Sequence, residues 1–178
     1  GAFWRWQRAR RRTARVLRED ALKHIHQCEI HDQRPTVKSL AGALNVSSDD
    51  IAELLEQLEA SDLLAIEGDS FRLSSLGRDY ALQIIRAHRL WERYLADATG
   101  FEEAEWHGQA DDYEHRLSPE EASRLSARLG NPTHDPHGDP IPTSAGEMVY
   151  RARVPLSQME VDKPARIVHL EDEQCGQV

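Results

Sequence analysis

The sequence predicts a mainly α-helical protein in which a winged helix-turn-helix is followed by an all-helical unit. Three observations carry that prediction. Amphipathic stretches recur three times between residues 13 and 61. A pair of short apolar runs follows at 63–73. Three further helical stretches with cap signals then lie between 74 and 130.

Residues 13–28 set Val16, Leu17, Leu22 and Ile25 on one stripe of a helix. After the polar break His31–Pro35, Thr36 caps a short helix containing Val37, Leu40, Ala41 and Leu44, and Asn45 ends it. Ser47 or Ser48 opens a third helix, Asp49–Ser61, that buries Ile51, Leu54, Leu55 and Leu58. Leu63-Leu64-Ala65-Ile66 and Phe71-Arg72-Leu73, joined by Glu67-Gly68-Asp69-Ser70, read as a small β-hairpin with a Gly-Asp turn. Three helices followed by a hairpin, with loops this short, make a winged helix-turn-helix.

Ser74 or Ser75 starts a long helix through Ala98, closed by Gly100, with Leu76, Tyr80, Ile84, Trp91 and Leu95 on its apolar side. A further helix spans about Glu102 to Leu117. The next begins Ser118-Pro119-Glu120-Glu121, a serine cap with proline in the first turn and glutamate at the third position, and stops at Gly130. Residues 131–146 are loop, and Val154-Pro-Leu and Ala165–Leu170 read as strands. Two strands alone are marginal, so this segment is expected to be incomplete or to lean on a neighbour. The expected organisation is a basic aromatic arm (1–12), a winged-helix domain (13–75), a helical domain (76–142), and a linker with a partial β segment (143–178).

Composition narrows the function. Apolar residues make up 39% of the 178, and no run of eighteen is apolar enough to span a membrane. Two cysteines far apart, with no CxxC pair, exclude a cysteine zinc knuckle. The formal net charge of -9 is a poor basis for a protein whose sole task is to hold nucleic acid. The charge is also polarised. Seven arginines (Arg5, Arg8, Arg10, Arg11, Arg12, Arg15, Arg18) and no acid fall in residues 1–18, leaving 15 basic against 31 acidic side chains in the rest. Phe3, Trp4 and Trp6 precede the arginines, and two readings stay open: the cytoplasmic exit of a transmembrane helix, or a solubilising basic helix.

The chemistry-bearing stretch is His107-Gly-Gln-Ala-Asp111-Asp-Tyr-Glu114-His115. On a helix His107, Asp111, Glu114 and His115 fall within a sector of about 100°. Trp106, Ala110, Tyr113 and Leu117 line a separate stripe beside it. Two carboxylates and two imidazoles in one sector repel or desolvate one another unless a cation sits among them. His88 and Glu92, four apart on the preceding helix, offer a second such face, and Asp20 a further acid from the first helix. Oxygen and nitrogen ligands without sulfur favour Mn²⁺ or Fe²⁺, while Zn²⁺ still binds such a set in vitro. The competing reading is a solvated charged face. His134 and His137, in a loop with Asp135 and Asp139, could coordinate metal, but are read in the first place as turn residues. Tyr80, Trp91, Tyr94 and Phe101 read as core or dimer packing. Ligands drawn from packed helices with no substrate cleft argue against an enzyme.

The blocks His88-Arg-Leu-Trp-Glu92-Arg-Tyr-Leu, Glu105-Trp-His107, Asp111, Glu114-His115-Arg-Leu-Ser and Leu129–Pro142 closely resemble the diphtheria toxin repressor family, which includes the manganese transport regulators. The resemblance covers about residues 15–142, and the tail from Val154 is similar to the opening of a FeoA-like small β-barrel. It implies a winged helix, a helical domain for dimerisation and metal binding, and a homodimer. Carried over by position, it implies a functional metal site at Asp20, Asp111, Glu114 and His115, with a companion site at His88, Glu92 and His107. Manganese members draw the position of His88 into the metal cluster. Carboxylates at 20 and 111, where iron-type members place sulfur, make the chain manganese-like. Lys23 departs from the glutamate ligand of manganese-type members.

The resemblance also implies a DNA-reading helix at Ser48–Glu59, with Ser47, Ser48, Asp49, Asp50, Glu53 and the wing residue Arg72 nearest a duplex. Yet from Ser39 to Phe71 there are eight acids and no Lys or Arg. A face that neutralises no phosphates forgoes the counterion-release term. The expectation is therefore a metal-sensing domain that does not bind DNA tightly. The arm of Trp4, Trp6 and arginines resembles the junction in metal-transport permeases that carry a domain of this family. It implies that the domain regulates a fused metal-uptake permease upstream of Gly1, at the cytoplasmic face of the inner membrane. The alternative is a soluble metal-dependent DNA-binding repressor.

Overall fold

A computed structural model describes residues 2–67 and 70–169, with side chains from Ala14 onward. The described residues form two units, one through Ile84 and the other from Ile85 to His169.

The first unit is the three-helix and hairpin arrangement. Helix α1 runs Ala2–Ile30, so the helix expected from residue 13 extends back through the arm. Helix α2 is Val37–Leu44. Thr36 caps it reciprocally with Ser39, and Asn45 ends it in the left-handed region at φ 53°. Helix α3 is Ser48–Ala60, and Ser47 Oγ accepts from the Asp50 amide at 3.1 Å. Strands β1 (Leu64–Glu67) and β2 (Ser70–Leu73) pair antiparallel with Leu64 opposite Leu73 and Glu67 opposite Ser70. The expected Gly68-Asp69 turn lies outside the described residues.

The apolar stripes meet in one core: Ala21, Leu22 and Ile25 from α1, Leu40 from α2, Ile51, Leu54, Leu55 and Leu58 from α3, and Leu64, Phe71 and Leu73 from the hairpin. Each fully buried Leu or Ile contributes about 1.5–3 kcal/mol. Two polar links tie α1 into this unit. Glu29 accepts the Leu73 amide at 2.8 Å and pairs with Arg78 at 2.8 Å. Buried Glu19 accepts from Arg15 Nε at 2.8 Å and from the Tyr80 hydroxyl at 2.7 Å. Burial, reinforced by that bond to Glu19, pushes the Tyr80 phenol up to about 12.

Helix α4 (Ser75–Ala98) starts in the first unit and continues into the second. A Cβ on Gly77 would lie 1.9 Å from the Leu63 carbonyl oxygen, so only glycine permits this approach of helix to hairpin. Leu76, expected on the apolar side, is exposed instead, and Ala81, Ile84, Ile85, Leu90 and Leu95 carry the burial.

In the second unit, helix α5 is Glu103–Glu114 and helix α6 is Pro119–Arg128, capped by Ser118 and Glu121 reciprocally as the sequence predicts. Helix α5 stops short of Leu117 because His115 and Arg116 turn the chain into the Ser118 cap. The apolar cluster here is Leu90, Ala122, Leu125 and Ile141, with Trp91, Tyr94, Leu117 and Leu129 packed on it. The expected strands at 154–156 and 165–169 are absent among the described residues, and a short 3₁₀ turn occupies Leu156–Gln158. Pro155 and Pro164 remove ladder donors, Val154, Leu156 and Ile167 are exposed, and no third strand is present among the described residues to pair with. Leu170 lies outside the described residues.

Candidate metal centre

Helices α4 and α5 bring a polar cluster into the interior of the second unit. His88 and Glu92, one turn apart on α4, are 5% and 1% exposed, and Glu114, on the last turn of α5, is 3% exposed. Charged side chains this deeply buried require partners. His88 has a carboxylate on each ring nitrogen: Nδ1 lies 2.6 Å from Glu114 Oε2, and Nε2 lies 3.2 Å from Glu92 Oε1. Asp111 Oδ1 is 3.4 Å from the same Nδ1. His107 Nδ1 sits 3.3 Å from Glu92 Oε1, its Nε2 3.6 Å from Asp111 Oδ2, and its ring meets the His88 ring edge-on with centroids 4.9 Å apart. His115 places Nε2 3.4 Å from Glu114 Oε1.

A loop closes over the cluster. Asp135 carbonyl oxygen accepts from Gly138 N, the Asp135 carboxylate accepts from Asp139 N at 2.8 Å, and His134 bridges to Pro140. Arg86 and Arg89 of α4 hold the loop by donating to the carbonyls of Pro142 and Pro140, each at 2.6 Å. This directs His137 Nδ1 to 3.8 Å from Glu92 Oε2.

Within the second unit, three sets of ligand atoms therefore lie within 4.8 Å of one another: His88, Glu92 and His107; His88, Asp111 and Glu114; Glu92, Asp135 and His137. The donor set fits a hard or borderline divalent cation, with imidazole nitrogen and carboxylate oxygen and no sulfur. An imidazole with an acceptor at each nitrogen needs two protons, or one proton and a cation, to satisfy both. Burial alone would raise the Glu92 carboxyl. Hydrogen bonds from His107 and His88, with the charges of His88 and His137, override it and hold the group at about 2. Burial pushes Asp135 up to about 6, against the hydrogen bond from the Asp139 amide.

Of the residues singled out from sequence, His88, Glu92, His107, Asp111, Glu114 and His115 share this one neighbourhood. Asp20 lies half-buried on α1 in the first unit. Asp135 and His137, read from sequence as turn residues, join Glu92. The signal that could have found them is the density of His and Asp in His134-Asp-Pro-His137-Gly-Asp139.

The face expected to meet DNA is acidic in three dimensions as well. Ser47, Ser48, Asp49, Asp50 and Glu53 are all exposed at the start of α3. Arg72, the single cation expected from the wing, is paired with Glu67 at 2.6 Å.

A winged helix leading into helices that bury a cluster of imidazoles and carboxylates defines a class, the winged-helix regulators with a metal-binding domain. The family model described as "Iron dependent repressor, metal binding and dimerisation domain" matches residues 74–143. The chain is similar to the iron-dependent repressor IdeR of Mycobacterium tuberculosis, with 34% identity over 122 residues, covering 68% of this chain and 53% of that protein. It is similar to the diphtheria toxin repressor of Corynebacterium efficiens, with 30% identity over 159 residues, covering 85% of this chain and 69% of that one. Among solved structures, the manganese regulator SloR superimposes with a TM-score of 0.69 at 29% identity, covering 80% of this chain and 67% of that one. The chain belongs to the diphtheria toxin repressor family of metal-dependent regulators. It spans about half the length of the IdeR proteins it matches. No helix among the described residues is long and apolar enough to cross a membrane.

Proposed function

We propose that the chain is a divalent-metal sensor, responding to Mn²⁺ or Fe²⁺ and taking Zn²⁺ in vitro, that acts as a homodimer through its helical unit. The observation that carries this reading is the burial of His88, Glu92 and Glu114 together, with His107 and Asp111 beside them. His88, Glu92 and His107 would hold one ion, with Asp135 and His137 adding ligands on the Glu92 side. Asp111, Glu114 and His115 would hold the ion of the functional site. A bound cation would add positive charge among these carboxylates. The relatives support the choice of metal: iron for IdeR, manganese for SloR, and Zn²⁺ and Cd²⁺ in structures of ScaR. Those relatives are named as repressors or regulators, which supports a regulatory role over an enzymatic one.

The regulated output we propose is a metal-uptake transporter joined upstream of Gly1, with the basic aromatic arm at the cytoplasmic membrane face. The acidic α3 supports it, since carboxylates facing phosphates repel and Arg72 is engaged by Glu67. The second reading, a soluble DNA-binding repressor, is favoured by the winged helix itself and by the repressors among the relatives. A gel shift with Mn²⁺ at low salt, against promoters of metal-uptake genes, separates the two. The transporter reading expects no specific complex, and a tight specific one overturns it. Apolar helices encoded upstream of Gly1 would overturn the second reading.

A further inference from the structure

The attachment of α5 to the metal centre is unusual for a helix. Its buried residues are Ala110 and Glu114, so it lacks the apolar face that ordinarily docks a helix. The side chains it presents to α4 include the carboxylates of Asp111 and Glu114, which reach Glu92 through the rings of His88 and His107. Beside these polar bridges the apolar contact that fixes the helix is a ring stack. Tyr113 lies on Trp91 of α4 with centroids 4.0 Å apart and planes 8° apart, and Arg116 lies over the Tyr113 ring at 5.2 Å. Trp91 also leans on Tyr94 at 5.0 Å, and both pack on the apolar cluster of the second unit. Its buried Nε1 has no hydrogen-bond partner among the described residues, so packing alone fixes the indole.

The stacked rings are placed where they matter most. Trp91 immediately precedes Glu92, and Tyr113 immediately precedes Glu114, the two buried carboxylates that flank the nitrogens of His88. We propose that Trp91 and Tyr113 are positioning residues, an aromatic clamp that holds α5 against α4 at the spacing a divalent cation requires. The inference rests on the metal-sensing reading. The clamp holds the ligands of the two helices in register before an ion arrives, so its loss lowers affinity without removing a ligand. Aromatic pairs of this kind stabilise beyond their buried area, and groups that orient ligands from outside the coordination sphere strongly affect metal affinity.

The test is calorimetric titration of the whole chain with Mn²⁺, beside hydrogen exchange of the α5 amides. Tyr113→Leu is expected to weaken Mn²⁺ binding by about tenfold or more with unchanged stoichiometry. It is also expected to lose α5 protection without metal and to regain it at saturating Mn²⁺. Tyr113→Phe, which keeps the ring, is expected to bind as the parent does. Trp91→Met, apolar but without a ring, carries the same expectation as Tyr113→Leu and serves if that variant does not fold. Parental affinity in the ring-less variants overturns the clamp, as does an equal loss in Tyr113→Phe. A parent chain that takes up no Mn²⁺ overturns the sensor reading itself.

Discussion

The two units differ in what they bury. The first closes on leucines, isoleucines and a phenylalanine drawn from α1, α2, α3 and the hairpin, with Glu19 and His26 as buried polar exceptions, and exposes the acids at the start of α3. The second has a smaller apolar cluster and places His88, Glu92, Glu114, His134 and Asp135 inside. A core of the first kind is stable by itself. A core of the second kind interleaves imidazoles with carboxylates, a donor set that suits a divalent cation. The difference teaches where each unit's specificity lies: the first is an apolar scaffold with an acidic α3 face, the second a buried cluster of nitrogen and oxygen donors.

The sharpest way to break this contrast is to remove ligands. Glu114→Ala with His115→Ala is expected to cut sharply the rise in melting temperature on adding Mn²⁺, leaving only what the ion at His88, Glu92 and His107 contributes. For the parent at a hundredfold excess over Kd, that rise corresponds to about 2.7 kcal/mol. Differential scanning calorimetry of both proteins, with and without Mn²⁺, measures it. An unchanged metal-induced shift in the double variant would show that the ion binds elsewhere.

The first unit should answer to packing instead. Gly77→Ala drives a methyl into the Leu63 carbonyl and is expected to cost about 1–3 kcal/mol. Urea denaturation checks it, and the loss should be the same with and without metal.

The acidic surface gives a third handle. Replacing Asp49, Asp50 and Glu53 together by alanine is expected to raise non-specific DNA affinity by about tenfold at low salt. Fluorescence anisotropy with a labelled duplex reads the change. No change would mean that this face does not meet the backbone at all.

The smallest effect expected is at Tyr80. Its pKa is raised in the fold, so its contribution is fully present below the unfolded value near 10 and is lost as pH climbs toward 12. Tyr80→Phe should cost about 1 kcal/mol at neutral pH. It should also remove the part of the stability lost between pH 10 and 12, followed by circular dichroism.

Much of the first unit was legible because its signals are local. Thr36, Asn45 and Ser47 cap where the sequence says, and the 3.6-residue stripes of α1 and α3 point inward. The ligand pairs of the second unit were legible for the same reason, since His88 with Glu92 and His107 with Asp111 are each one helical turn apart. His137 was not. Its approach to Glu92 depends on Arg86 and Arg89 drawing a loop some fifty residues away in sequence over α4, which no local pattern encodes. The stack of Trp91 on Tyr113 was hidden likewise, because it is a contact between helices. The strands expected after Val154 failed for want of a partner strand: alternation and β-branched residues specify a strand only where another backbone completes its ladder.

The most direct measurement is anomalous diffraction from manganese-soaked crystals of this chain. Peaks at the ligand atoms of His88, Glu92, His107, Asp111 and Glu114, one ion beside His88, Glu92 and His107 and another beside Asp111 and Glu114, are the result predicted. Saturating Mn²⁺ with no density among those five residues would contradict the assignment of this cluster as a metal centre.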